Sequence, residues 1–156
     1  MPIQCEILTQ ERQLYNDAAD IVVLPGLEGV MGILPNHSPL LTVLGFGEVV
    51  VRSAGEEEFF AIGGGFAEVQ PDRVIILADS AEQAEEIDVE RALEARQRAE
   101  KAMAEGVPDD PMRYAQIEAA LRRAQIRIDI SRRRGSGRRR RGMEELRPQG
   151  DSDRFS

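Results

Sequence analysis

Short apolar, β-branched segments dominate residues 1–80: IQCEILT (3–9), DIVVLPG (20–26), GEVVVRS (47–53), EFFAIGG (58–64), FAEVQP (66–71) and RVIILAD (73–79). They recur about every ten residues with Gly and Pro between them, which predicts an antiparallel sandwich or barrel. In FAEVQ the alternation fails, because Phe66 and Val69 do not share a period of two. That strand is assigned from its flanking turns. PGLEG (25–29) reads as a chain reversal, since glycine reaches positive φ without Cβ strain. The glycine run 63–65 reads as a tight turn or bulge between strands. GEEE (55–58) reads as a solvated hairpin tip.

At Asp88 the period changes from two to 3.6. The stretch DVERALEARQRAEKAMAEG contains no Gly or Pro until Gly106 and consists mostly of strong helix formers. Asp88 suits the N-cap and complements the helix dipole. Gly106 followed by Pro108 ends the helix. Asp110 then caps a second helix with Pro111 in its first position, and this helix runs to about Ser131. Tyr114, Ile117, Leu121, Ala124 and Ile128 form one apolar seam on it. The first helix offers Val89, Ala92, Arg96, Ala99 and Met103, a seam that is partly alanine. Each buried CH₂ contributes about 0.8 kcal/mol, so such a hairpin docks weakly on its neighbours. A close-packed alanine hairpin with no switching role fits the same composition.

Charge divides the chain. Residues 1–111 carry 22 acids and 7 bases, whereas 112–156 carry 6 acids and 13 bases. Within the second helix, Arg122 has Glu118 one turn away, and Arg98 has Glu94 in the first helix. Arg123 and Arg127 have no acid at three or four positions and repel one another. With Arg91 and Arg98 on the facing helix they would suit a triphosphate, because guanidinium binds phosphate bidentately. Solvation, or pairing with acids of the sandwich, is the simpler account of them. The segment RRRGSGRRRRG (132–142) cannot build a core and reads as the start of a disordered tail. It lacks the aromatic residues that stack nucleic-acid bases.

Catalysis finds no constellation. His37 and Cys5 are the only histidine and cysteine, 32 positions apart. One cysteine forms neither an internal disulfide nor a cysteine zinc site. The phosphate-loop pattern is absent. No apolar run approaches the ~18 residues of a membrane span, and no signal peptide is expected.

Four motifs in order resemble the epsilon subunit of rotary F-type ATP synthases: GILPNHSPLL (32–41), GGGFAEV (63–69), VIILAD (74–79) and IDVERA (87–92). The resemblance spans about residues 2–130. It implies an α+β chain: an antiparallel β-sandwich over 1–85, a two-helix antiparallel hairpin over 86–131, and beyond the family pattern a disordered basic tail over 132–156. It implies a non-catalytic central-stalk subunit whose sandwich binds the gamma subunit and rests on the c-ring. Leu27, Glu28, Val30, Met31 and His37 are the implied rotor-interface residues, and His37 becomes scaffold in a rigid turn between Pro35 and Pro39. The hairpin would inhibit ATP hydrolysis when extended toward the catalytic alpha and beta subunits. Arg113, Arg122, Arg123 and Arg127 would then face acidic segments there. Folded down, it would bind ATP, with or without magnesium, as a regulatory ligand. Ile87, Asp88, Arg91, Ala92, Arg98, Arg123 and Arg127 match that pattern. No cofactor, metal or nucleic acid is required. The implied location is peripheral, on the cytoplasmic face of a bacterial plasma membrane. A free-standing nucleotide-responsive module and a basic-tailed nucleic-acid-associated protein are the competing readings of the same residues.

Overall fold

The computed structural model describes the backbone of residues 1–106 and 109–144, and side chains through residue 133 apart from 107 and 108. Eight strands come first: β1 (Ile3–Leu8), β2 (Gln13–Ala19), β3 (Ile21–Gly26), β4 (Gly29–Ile33), β5 (Leu40–Ser53), β6 (Glu56–Val69), β7 (Arg73–Ala78) and β8 (Ala81–Gln83). A 3₁₀ turn at Ala84–Glu86 leads into α1 (Val89–Ala104) and α2 (Pro111–Glu144). The strands hydrogen-bond in the order β2-β1-β7-β6-β5-β3-β4, with β8 beside β6. All neighbours run antiparallel except β1 and β7, which are parallel. That pair corrects the expectation of a wholly antiparallel sheet.

The sheet folds over on itself. Tyr15 of β2 meets Phe60 of β6 edge-on, with ring centroids 6.0 Å apart, although the two strands are not hydrogen-bonded neighbours. Ile3, Cys5 and Ile7, Val22 and Leu24, Val49 and Val51, Phe60 and Ile62, and Val74 and Ile76 close into one buried core between the layers. Burial pushes the Cys5 thiol up to about 12. Cys5 is thus a core side chain, far from the reactive thiolate range.

The fold turns its corner at glycine. EFFAIGG and FAEVQ are one strand, β6, and the glycine run lies inside it, not at a turn between two strands. Gly64 and Gly65 take φ of 86° and 122°. A Cβ on Gly65 would stand 2.1 Å from the Leu77 carbonyl oxygen. Only glycine permits both that dihedral and that approach, so β6 passes from pairing with β7 to pairing with β8 without breaking. The PGLEG reversal is the β3–β4 hairpin; of GEEE, only Gly55 lies in the β5–β6 tip, and Glu56, Glu57 and Glu58 begin β6. β2, β4 and β8 have no counterpart among the predicted strands. β2 is largely polar and half-exposed, β4 holds two glycines and β8 has three residues, so none presents an apolar period.

The helix boundaries follow from local chemistry. The Asp88 carboxylate accepts the Arg91 backbone N–H at 3.2 Å, and the Asp110 carboxylate accepts that of Met112 at 3.0 Å. Gly106 takes φ of 115° just beyond α1. The far end differs. α2 does not stop near Ser131; its backbone stays helical to Glu144, through the first part of the segment read as a disordered tail. The expectation for 145–156 lies outside the described residues.

α1 packs chiefly on α2, with Ala92 and Ala99 buried between them, and α2 packs on the sheet. Ile130 and Ile126 meet Ala61, Phe59, Ala84 and Ile87 in a second, smaller cluster. Alternate residues of β6 therefore serve two sides: Phe60 and Ile62 enter the main core, while Phe59 and Ala61 receive the helix.

Arg12, from the turn after β1, grips Glu86 with two hydrogen bonds of 2.6 Å, fastening the sandwich to the start of the hairpin. That guanidinium holds the Glu86 carboxyl below its ordinary value. Stability from the pair is therefore complete above the unfolded carboxylate pKa of about 4.3 and is lost as pH falls through the lowered folded value. Glu86→Gln should flatten the acid limb of a plot of urea midpoint against pH and leave the neutral plateau slightly lower. An unchanged acid limb would contradict the linkage.

Candidate functional site

The hairpin arginines come first. Of the residues read as a nucleotide pattern, three already serve the hairpin itself. Ile87 is buried in the docking cluster, Asp88 caps α1, and Ala92 is buried against α2. Arg91, Arg98 and Arg123 are exposed and make no ion pair among the described residues. Arg127 does: its Nε lies 2.6 Å from Glu82 Oε1, although the N–H is not aimed for a hydrogen bond. For Arg127, then, the counter-charge is an acid of the sandwich, which helical spacing could not show. The helical partnerships Arg98–Glu94 and Arg122–Glu118 do not form. Arg96–Glu100, at 3.8 Å, does. Surface pairs one turn apart contribute only about 0.3–0.5 kcal/mol, too little to fix which acid a mobile arginine meets. Counting back from the interhelical loop at 1.5 Å per residue sets Arg91 level along the axes with about residue 124. Arg98 stands about two turns nearer the loop.

The second candidate surface is apolar. Leu27 and Glu28 form the β3–β4 tip; Leu27 and Val30 are 69% and 78% exposed. Met31 is half-buried and packs against the main core. His37 lies in the β4–β5 connection, where its Nδ1–H donates to the Ser38 carbonyl at 2.8 Å. The neighbouring Asn36, at φ 65°, donates its N–H to the Pro71 carbonyl at 2.8 Å. The histidine thus sits in a loop tied to the β6–β7 turn.

Beside that tip lies a surface the sequence reading missed. Val43, Phe66 and Leu77 are direct cross-strand partners on β5, β6 and β7. They are 44%, 51% and 54% exposed, on the outer face of the sheet. Leu8 of β1 continues the row opposite Leu77, and Leu41 lies exposed beside Val43. The Leu27 backbone N–H donates to the Val43 carbonyl at 3.2 Å, which ties the tip to the strand that carries the row. The broken alternation in FAEVQ was its signal: Phe66 faces out and Val69 faces the core. Water tolerates scattered apolar side chains, but a contiguous row of them marks a surface that is covered in use.

Among the described residues, no helix is long and apolar enough to cross a membrane. Comparison with known proteins gives these surfaces a family. The chain is 49% identical over 133 residues to the ATP synthase epsilon chain of Dehalococcoides mccartyi, covering 85% of this chain and 94% of the relative. It is 48% identical over 134 residues to that of Herpetosiphon aurantiacus, covering 86% and 97%. Among solved structures, it resembles a chain in the cryo-EM structure of the Euglena gracilis mitochondrial ATP synthase. That match has a TM-score of 0.67 at 28% identity, covering 77% of this chain and 75% of the other. The family model for the beta-sandwich domain of the ATP synthase delta/epsilon chain matches residues 2–84, and that for its long alpha-helix domain matches 85–132. The sandwich with its bare apolar row and the hairpin folded beside it are thus two matched halves of one pattern, and the chain belongs to the ATP synthase delta/epsilon chain family.

Proposed function

We propose that this chain is a non-catalytic rotor subunit of a proton-translocating F-type ATP synthase, joining the gamma subunit to the c-ring at the cytoplasmic face of a bacterial plasma membrane. The observation that carries the reading is the row Val43–Phe66–Leu77 on the outer sheet face, joined to the tip at Leu27. A rotor subunit has no chemistry to perform; it transmits torque through packed surfaces, and an exposed apolar row is what such packing uses. The row suits the gamma subunit, and the Leu27–Val30 tip suits the ring. Mixing the full chain with the gamma subunit of the same complex should give a stable pair on gel filtration at micromolar concentration. Separate elution would overturn the reading.

The hairpin adds regulation to this role. Folded on the sandwich it permits rotation, and extended toward the catalytic alpha and beta subunits it blocks ATP hydrolysis. The support is its small docking cluster and the exposed arginines at one level of the two helices. ATP then acts as a ligand of the folded position, with Arg91, Arg123 and Arg127 on its phosphates and Arg98 further along. A calorimetric titration of the full chain, with and without magnesium, should show saturable ATP binding that Arg123→Ala with Arg127→Ala weakens at least tenfold, the scale of losing a charge-assisted hydrogen bond. Equal binding by parent and double variant would remove the arginines from the nucleotide site.

A further inference from the structure

Strand register sets three side chains of the sheet in one row: Glu48 of β5 pairs with Ala61 of β6, and Ala61 pairs with Glu82 of β8. α2 crosses this row. Arg127 stands on Glu82, Ile130 packs with Ala61, and Arg133 stands on Glu48. The two spacings agree. Three helical residues rise about 4.5 Å and neighbouring strands lie about 4.8 Å apart, so one step of three along α2 matches one step across the sheet. Three residues also turn the helix by about 300°, short of a full turn by about 60°. Arg127 and Arg133 therefore leave the helix on opposite sides of the buried Ile130.

The row carries charge that the helix covers. The Glu48 and Glu82 side chains are 18% and 27% exposed, while the arginines above them are about half-exposed. A covered carboxylate without a cation beside it destabilises the docked state. The two ends are unequal. Arg127 offers Glu82 charge without an aimed hydrogen bond. Arg133 Nη1 donates to Glu48 Oε1 at 2.5 Å, and its guanidinium stands 6.0 Å from the centre of the Phe59 ring. Burial pushes the Glu48 carboxyl up, Arg133 opposes this, and the charges of Asp129 and Glu57 add to it. Arg52, on the same face of β5, is held by Glu57, which leaves Glu48 to Arg133. Arg133 is also the first residue beyond the region matched by the helical family model.

We propose that α2 is a crossbar keyed to this row, and that Arg133 on Glu48 is the pin that holds the hairpin on the sandwich. The pin rests on the reading above in which the hairpin leaves the sandwich, and it sets how often that happens. Position decides it, not net charge. Arg132 carries the same charge one residue away, but it lies about 100° around the helix from Arg133 and makes no ion pair among the described residues.

Thiol labelling of the isolated full chain, without nucleotide, tests it. Ala61→Cys puts a thiol on the row beneath the helix, where Ala61 is buried. Ala84→Cys, in the same cluster, repeats the measurement from a second site. Cys5, buried in the main core, is the internal reference for opening of the sandwich itself. The introduced thiol should react before Cys5, at a rate set by release of the hairpin. Arg133→Ala should speed that reaction roughly tenfold, the scale of one charge-assisted hydrogen bond, and leave Cys5 unmoved. Arg132→Ala should change it by less than about twofold, as at an ordinary surface position. Glu48→Gln added to Arg133→Ala should slow it again, because no uncompensated carboxylate then remains beneath the helix. A rate unmoved by Arg133→Ala, equal acceleration by Arg132→Ala, or no recovery with Glu48→Gln overturns the pin. An introduced thiol that reacts only together with Cys5 overturns the mobile hairpin as well, so the two failures are distinguishable.

Discussion

Phe66→Glu should weaken association with the gamma subunit by about 2–4 kcal/mol, roughly thirty- to a thousandfold in Kd, while leaving the isolated chain folded. The ring stands in the middle of the row, with Val43 on one side and Leu77 on the other. Covering it removes an aromatic side chain from water, worth about 1.5–3 kcal/mol. A carboxylate there would in addition have to be desolvated at the joint. The same ring is 51% exposed in the free chain, and exposed positions tolerate change within about 0.5 kcal/mol. Leu77→Glu should behave alike, whereas Glu68→Gln, two positions along β6, should matter little. Titration calorimetry against gamma, paired with urea denaturation of the chain alone, separates the two effects. Unaltered affinity in both Phe66→Glu and Leu77→Glu would mean that the row is not the gamma surface.

Gly65→Ala should cost the sandwich about 3 kcal/mol or more, the largest loss of stability expected from adding one methyl group. The added Cβ would lie 2.1 Å from the Leu77 carbonyl oxygen and 2.8 Å from the Ala78 Cα. Both are backbone atoms of β7, so relief requires the β6–β7 pairing itself to open. The φ of 122° adds strain for any L side chain. Gly55→Ala separates the two causes. Gly55 has a φ of 78° but nothing within 4 Å of its would-be Cβ. Its substitution should cost only about 1 kcal/mol, the dihedral penalty alone. Urea midpoints of the two variants measure the difference. Equal losses would mean that the corner of β6 yields more readily than its close contacts imply.

Which features were readable before folding follows from the range of the forces involved. Helix ends depend on neighbours three or four residues away, so Asp88, Gly106, Asp110 and Pro111 are legible as written, and the structure uses each Asp as a cap. Core strands rich in Val and Ile announce themselves by burial in either direction along the chain. Four motifs in order resembled the family that the comparisons then matched over residues 2–132. Partnership is a different matter. That β1 lies parallel to β7, that β6 runs unbroken through its glycines, and that Phe66 faces out beside Val43 and Leu77 are consequences of register between distant strands. No local propensity encodes register. The same holds for charge. Helical spacing offered Arg98 and Arg122 acids that they do not meet, and offered Arg127 none, yet the folded chain sets Arg127 on Glu82 and Arg133 on Glu48. The sequence by itself determined the elements, their caps and the family they spell. Only the tertiary structure decided which faces stay bare and which charges are paired, because both depend on groups brought together by folding and not by position in the chain.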